Sequence, residues 1–219
     1  MMTPSRVSFL IVAAAGLQLA FVGGSFATSP LKINFVTHAS FFSMETKQPK
    51  TLDPQVFVQD PAAEAATGPQ GIKHAAGFRP PLIEQDAKSS LLYNADGKPL
   101  GFDLHTWLSP SGIVTITEQG GKILLEATFK GLKPNGNYSI FENHFDHTPV
   151  TFTAMDGTGK SNSFSAHPNG TAKISITLPD FPTHANAVLL IYNSEGQSHG
   201  LDRGKVGIEA HHQLIARPE

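Results

Sequence analysis

The chain has 219 residues, with 16 Lys and Arg against 18 Asp and Glu, a balance that offers no one-signed field for nucleic acid or an anionic membrane surface. It has no Cys, which excludes disulfides, a thiolate nucleophile and any Cys-built zinc or iron–sulfur site. The length is sufficient for one sizeable core, or for one domain with an irregular extension.

Arg6 precedes an uncharged apolar run over residues 7–22, and Gly23, Gly24, Ser25 and Ala27 follow it. A basic start, an apolar stretch and small residues at its end read as a secretory signal cut after Ala27. The alternative is an uncleaved N-terminal membrane anchor, because the run approaches the length that spans hydrocarbon. Gln18 and the Gly23-Gly24 pair interrupt it, and with no Cys behind it lipoprotein attachment is excluded. The expected location is periplasmic or secreted.

Residues 28–90 read as an extended proline-rich region, punctuated by Pro30, Pro49, Pro54, Pro61, Pro69, Pro80 and Pro81 and by an Ala/Gly-rich stretch over 62–77. Each proline removes a ladder donor and restricts the residue before it, so continuous helix or central strand is not expected here. Short extended pieces are predicted near 33–36 and 55–58, in a segment that drapes over the domain or begins it.

Farther on the pattern becomes regular. Residues 113–117 and 123–129 alternate in character and flank Gly120-Gly121, the signature of a hairpin. Further β-branched or aromatic runs cover 138–141, 150–153, 173–178, 187–192 and 211–216. Turn signals separate them, among them Lys133-Pro134-Asn135-Gly136, Asp156-Gly157-Thr158-Gly159 and His167-Pro168-Asn169-Gly170. Short strands between Gly, Pro and Asn turns, with hardly a helical period, predict an all-β fold: an antiparallel β-sandwich over residues 91–219. Phe129, Phe152 and Phe164 are expected between its sheets.

Ten His is a high number for this length, and it directs the search for chemistry. In Asn143-His144-Phe145-Asp146-His147 two imidazoles three residues apart could reach one ion, with Asp146 as a ligand or as an orienting carboxylate. His199 and the pair His211-His212 lie farther on. A regular strand places His211 with Gln213 and Ile215, and His212 with Leu214 on the other face, so one of the pair at most enters a given site. A copper or zinc site would draw on His144, His147, His199 and His211. The bland alternative is that each His caps a loop or faces water.

Gly196-Gln197-Ser198-His199-Gly200 matches the G-x-S-x-G elbow of serine hydrolases, and Asp202 and His211 follow in the matching order. An elbow needs a helix after the Ser and a continuing parallel sheet, whereas Gly204 and Gly207 discourage a helix. The segment therefore reads as a glycine-rich connection between the last two strands, with a serine hydrolase as a distant alternative.

The stretch from Gly112-Ile113-Val114-Thr115-Ile116 through Phe129-Lys130-Gly131-Leu132-Lys133-Pro134 to Tyr138-Ser139-Ile140 is similar in rhythm to the copper/zinc superoxide dismutase-like and CHRD-like secreted sandwiches. In those families a strand, a Gly-Leu-x-Pro turn and a His-bearing strand follow one another. The resemblance implies a β-sandwich of the immunoglobulin-like or superoxide dismutase-like kind. It does not imply dismutase activity: Tyr138, Ile140 and Glu142 occupy the strand where the family has its His-x-His, and the family's disulfide cannot form without Cys. Residues 156–216 are also similar to uncharacterised secreted bacterial proteins, which implies export and no mechanism.

The function expected from these readings is an exported, non-catalytic β-sandwich protein with a binding or structural role and no catalytic residues. Its partner would be an extracytoplasmic ligand or protein, not nucleic acid, and no membrane beyond an uncleaved anchor. The alternative is a His-rich metal-binding protein that holds copper or zinc.

Overall fold

The computed structural model describes residues 29–219; the signal or anchor read over residues 6–27 falls outside the described residues. The chain enters through β1 (Leu31–Asn34) and, after the buried Phe35, β2 (Val36–Thr37). The two strands belong to different sheets, so the ring of Phe35 enters the interior where the chain crosses over. Helix α1 (His38–Glu45) follows, capped by Thr37, whose hydroxyl accepts the Ser40 amide at 3.3 Å. Its buried residues His38, Ala39, Phe42 and Ser43 fall on one face at helical spacing.

Short strands fill the rest of the proline-rich half: β3 (Phe57–Gln59), β4 (Ala66–Thr67), β5 (Lys73–His74), β6 (Phe78–Arg79), β7 (Leu91–Tyr93) and β8 (Pro99–Asp103). Four of them make a small sheet of order β6-β3-β7-β8, and Val58, Leu92 and Leu100 from it join the main core. Helix α2 (Leu104–Leu108) seals Trp107 against this layer, where the indole N–H donates to Asp53 at 2.8 Å.

The sandwich is completed by β9 (Ser111–Gln119), β10 (Lys122–Lys130), β11 (Asn137–His144), β12 (Thr151–Ala154), β13 (Ser163–Ser165), β14 (Ala172–Leu178), β15 (Asn186–Asn193) and β16 (Ala210–Ala216). One sheet has the order β1-β9-β10-β14 and the other β12-β11-β15-β16-β2, with β13 beside β11. Every pairing in them is antiparallel. The β9–β10 hairpin turns on Gly120 and Gly121 at φ 60° and 74°, both in the left-handed region that a two-residue turn of this hand requires.

The sheets differ in how they are covered. In β14 only Ala172, Ile174, Ile176 and Leu178 are buried, the alternation of a sheet with one wet face. In β15 every residue from Ala187 to Asn193 is buried. Val188, Leu190 and Tyr192 face the sandwich interior, while Ala187, Leu189 and Ile191 belong to a second apolar cluster on the outside of the sheet. That outer cluster creates the need for a roof.

Two expectations are corrected here. The sandwich does not begin near residue 91, since β1 pairs with β9 from Leu31↔Ile116 to Asn34↔Ile113 and β2 pairs with β16. The prolines cut the first half into short pieces but leave its apolar residues free to enter the core, and α1 occupies the proline-free window between Pro30 and Pro49. Of the three Phe expected between the sheets, Phe129 and Phe164 are there, whereas Phe152 lies on the outer face.

Candidate functional site

The outer apolar face consists of Phe141, Ala154, Ala187, Leu189, Ile191, Ala210 and Ile215, with Phe41, Phe145 and Phe152 packed against it. Helix α1 covers one side of this face, and the loop of residues 195–209 between β15 and β16 approaches from the other. Between them lies a pocket of about 510 Å³ walled by Phe41, Phe42, Phe145, Val150, Phe152 and Val206. This is the size and apolar lining of a site for a small organic molecule. Its polar members are His38, Asn143, Arg203 and His212, together with Thr46, Gln70 and Glu45, the last held by Arg217 at 3.5 Å.

A bulge brings His212 there. Leu190 pairs with Leu214 but Ile191 pairs with His212, so Gln213 is an extra residue in β16. Alternation resets across it: Leu214 faces the interior and Ile215 the outer cluster, with His212 on the outer side against Phe152 and His211 on the inner side against Trp107 and Tyr192. The regular-strand expectation that His211 would share a face with Ile215 fails for this reason. Gln55 fixes the bulged strand, accepting the His212 amide on its side chain at 2.7 Å and the His211 ring on its backbone oxygen at 2.9 Å.

The polar groups of the pocket are poorly satisfied by the protein itself. Seven buried side-chain nitrogen or oxygen atoms among the described residues have no partner, and three of them, His38 Nδ1, Asn143 Oδ1 and His212 Nδ1, belong to this lining. Such atoms are rare in a settled core and call for an explanation. Arg203 Nη1 lies 3.2 Å from His212 Nε2, and since a guanidinium only donates, Nε2 is the acceptor and Nδ1 carries the proton. The His38 and His212 rings meet edge to face at 4.9 Å. Burial, with Arg203 second, pushes His38 down to about 3. Burial, followed by His38, Arg203 and His211, pushes His212 well below the usual histidine range. Both rings are neutral at pH 7.

Arg203 is the only cation in the pocket. Its guanidinium stacks on Phe152 at 3.4 Å from the ring centroid. Burial lowers it to about 10, with Asp202 acting in the opposite direction, so it remains charged at neutral pH. Among the described residues no carboxylate lies within 4.0 Å of it. A partly desolvated guanidinium with open donors, next to unpartnered polar atoms and an aromatic wall, is chemically equipped to receive an anion.

The loop that presents Arg203 is held at several points. Asn162 donates to the Gly200 carbonyl at 3.3 Å, and Asn94 donates to the Ile208 carbonyl at 3.1 Å. At Gly159 an added Cβ would lie 2.4 Å from the Gly200 carbonyl carbon, so the 156–161 turn abuts the loop with no room for a side chain. No helix follows Ser198, whose hydroxyl accepts the Gly200 amide at 3.2 Å; the elbow-like pentapeptide is a loop between antiparallel neighbours.

The four histidines named as metal ligands occupy three separate places. His144 and His147 are neighbours, with ring centroids 5.9 Å apart. Both nitrogens of His144 are engaged: Asn186 donates to Nδ1 at 3.1 Å, so Nε2 donates to Thr153 at 2.8 Å. His211 is sealed in the interior between Gln55 and Ser194. His199 stands instead with Glu195 and Glu209, whose oxygens and its own nitrogen all lie within 4.8 Å of one another. That trio is the one grouping of three potential ligand atoms among the described residues.

Compared with protein-family models, curated proteins and solved structures, the chain matches none. Fold and site together define an antiparallel β-sandwich with a roofed, largely apolar pocket, set with a few polar groups, on the outside of one sheet. Among the described residues no helix is long and apolar enough to cross a membrane. Sequence reasoning missed His38, Asn143 and Arg203 as site residues. The available signal was the uninterrupted apolar run at 187–192, which marks a strand covered on both sides and hence a second layer to be sought.

Proposed function

We propose that this is an extracytoplasmic, non-catalytic binding protein that holds a small amphipathic organic acid in the pocket roofed by α1. The carboxylate would meet Arg203, and the apolar body would lie against Phe41, Phe145, Val150 and Phe152. One observation carries this reading: a charged, partly desolvated Arg203 with no carboxylate partner, set among the unpartnered His38, Asn143 and His212. A carboxylate matches the planar fork of a guanidinium better than a spherical anion does. Binding rather than catalysis is favoured because the two imidazoles are neutral and neither is bonded to a carboxylate or to a hydroxyl that it could activate. Export is supported by the signal pattern over residues 6–27.

The test is a titration of ¹⁵N-labelled protein with 4-phenylbutyrate, followed by amide shifts. Saturable shifts confined to the neighbourhood of His38, Phe145, Phe152, Arg203 and His212, with Thr117 and Lys173 of the opposite sheet unmoved, are expected. No saturable shift, or shifts centred on the opposite sheet, would reject the assignment.

A further inference from the structure

We propose that Glu195, His199 and Glu209 form a binding site for a divalent first-row transition cation of the Zn²⁺ class, which closes the β15–β16 loop on itself and fixes Arg203 at the pocket. The three residues come from the two ends and the interior of one loop, so a single ion held by them would cross-link it. Their ligand atoms lie within 4.8 Å of one another. Zn–N and Zn–O bonds of about 2.0–2.2 Å place donors roughly 3.3–3.5 Å apart, a contraction that side-chain rotation supplies.

Two independent observations raise this trio above a chance meeting of acids. His199 Nε2 is buried with no partner, although a nitrogen of this ring lies within 4.8 Å of a carboxylate oxygen of both Glu195 and Glu209. A histidine placed for structure alone would donate to one of them. The loop is also shaped around that nitrogen: Gly204 has φ 79°, and a Cβ added there would lie 2.8 Å from His199 Cδ2, 3.0 Å from Nε2 and 3.4 Å from Glu209 Oε2. Residues with a side chain rarely take that conformation, and a Cβ there would have no room.

The surroundings orient the ligands. The Lys205 backbone amide donates to Glu209 Oε2 at 2.9 Å and fixes that carboxylate, while Lys205 Nζ is a loose neighbour at 3.8 Å on an exposed side chain. One imidazole and two carboxylates suit a borderline cation, with water completing the shell. Arg203 lies within the loop so closed, between His199 and Glu209. This consequence for the pocket rests on the proposed binding function; the metal site itself does not.

The full chain, stripped with chelator, is titrated calorimetrically with Zn²⁺ alone. One equivalent should bind. Glu195→Gln, an exposed change that leaves the fold intact, should weaken binding at least tenfold, and Glu195→Gln/His199→Ala should weaken it at least a hundredfold. His144→Ala/His147→Ala should leave it unchanged. Zn²⁺ affinity untouched by the Glu195 and His199 changes, or lost in the His144/His147 variant, would overturn the site. The loop claim is read separately: saturating Zn²⁺ should raise 4-phenylbutyrate affinity at least threefold in the wild type and not in Glu195→Gln. Zn²⁺ binding without that change would refute the coupling and leave the cation site standing, whereas 4-phenylbutyrate failing to bind at all would refute the pocket reading alone.

Discussion

Replacing Arg203 by Met separates a binding residue from a structural one. Burial lowers the Arg203 pKa to about 10, which, discounted for residual exposure, amounts to at most about 3 kcal/mol against carrying the charge in this setting. Against that relief, Met forfeits the cation–π contact with Phe152, worth roughly 1 kcal/mol. It also leaves His212 Nε2 without its donor, a cost of about 1–2 kcal/mol. The apolar stem of Met still covers Phe152. The opposing effects nearly cancel, so the variant should lie within about 1 kcal/mol of wild type, a shift in Tm below about 4 °C for a chain of this size. A guanidinium in a buried ion pair behaves differently, since breaking such a pair costs about 3–5 kcal/mol. Urea unfolding at pH 7.5, followed by the fluorescence of Trp107, the single tryptophan, measures the difference. A loss of 3 kcal/mol or more would show instead that Arg203 holds the loop rather than awaits a ligand.

Acidification should destabilise the protein below about pH 6.5, because His38, His211 and His212 all have folded pKa values below the unfolded one. Their contribution is complete above pH 6.5 and declines by on the order of 1 kcal/mol per pH unit for each as the unfolded chain takes up protons. Burial acts oppositely on two acids, raising Asp53 to about 6 and Glu142 to about 7, so these gain stability as pH falls toward 4.5. Three groups outweigh two, and Glu142→Gln should steepen the decline in urea midpoint between pH 7 and 5; a flatter profile in that variant would contradict the assignment. Trp107→Phe removes the indole donor from buried Asp53 and should cost about 2–3 kcal/mol at pH 8 but less at pH 5, where the carboxyl is protonated; an equal cost at both pH values would count against it. Gly204→Ala forces a Cβ against His199 at positive φ and should lose about 2 kcal/mol in thermal or urea unfolding, whereas Gly196→Ala, with nothing within 4 Å, should show only the smaller cost of its φ.

Much of the sandwich was legible because its strands alternate or run continuously apolar and its turns carry glycine where φ is positive. Gly120-Gly121 turns the observed β9–β10 hairpin, and the runs at 123–129, 173–178 and 187–192 lie within observed strands. In the first half the short extended pieces read near 33–36 and 55–58 correspond to β1, β2 and β3; only the start of the sandwich was placed too late, because proline does not prevent a two- to four-residue strand from pairing at a sheet edge, as β1 and β2 do. Helix α1 was missed because its eight residues, His-Ala-Ser-Phe-Phe-Ser-Met-Glu, carry little helical periodicity; tertiary contact with the outer face of the sheet sustains it.

The site was less legible than the fold, for geometric reasons. His212 owes its side of the sheet to the extra residue Gln213, and no sequence pattern announces that bulge. His38 and Arg203 are distant in the chain and meet only because α1 and the 195–209 loop cover the same face. The dense cluster at His144 and His147 stood out in the sequence, but His144 spends both ring nitrogens on Asn186 and Thr153, and His147 stands exposed beside Asp146.

The central claim, that the pocket recognises a carboxylate through Arg203, is tested most directly by calorimetric affinities for 4-phenylbutyrate and its uncharged isostere 4-phenylbutyramide, in wild type and in Arg203→Met. Wild type should bind the acid at least tenfold more tightly than the amide, and the variant should bind the two alike. Equal affinities in the wild type, or a preference for the acid that survives in Arg203→Met, would contradict the account.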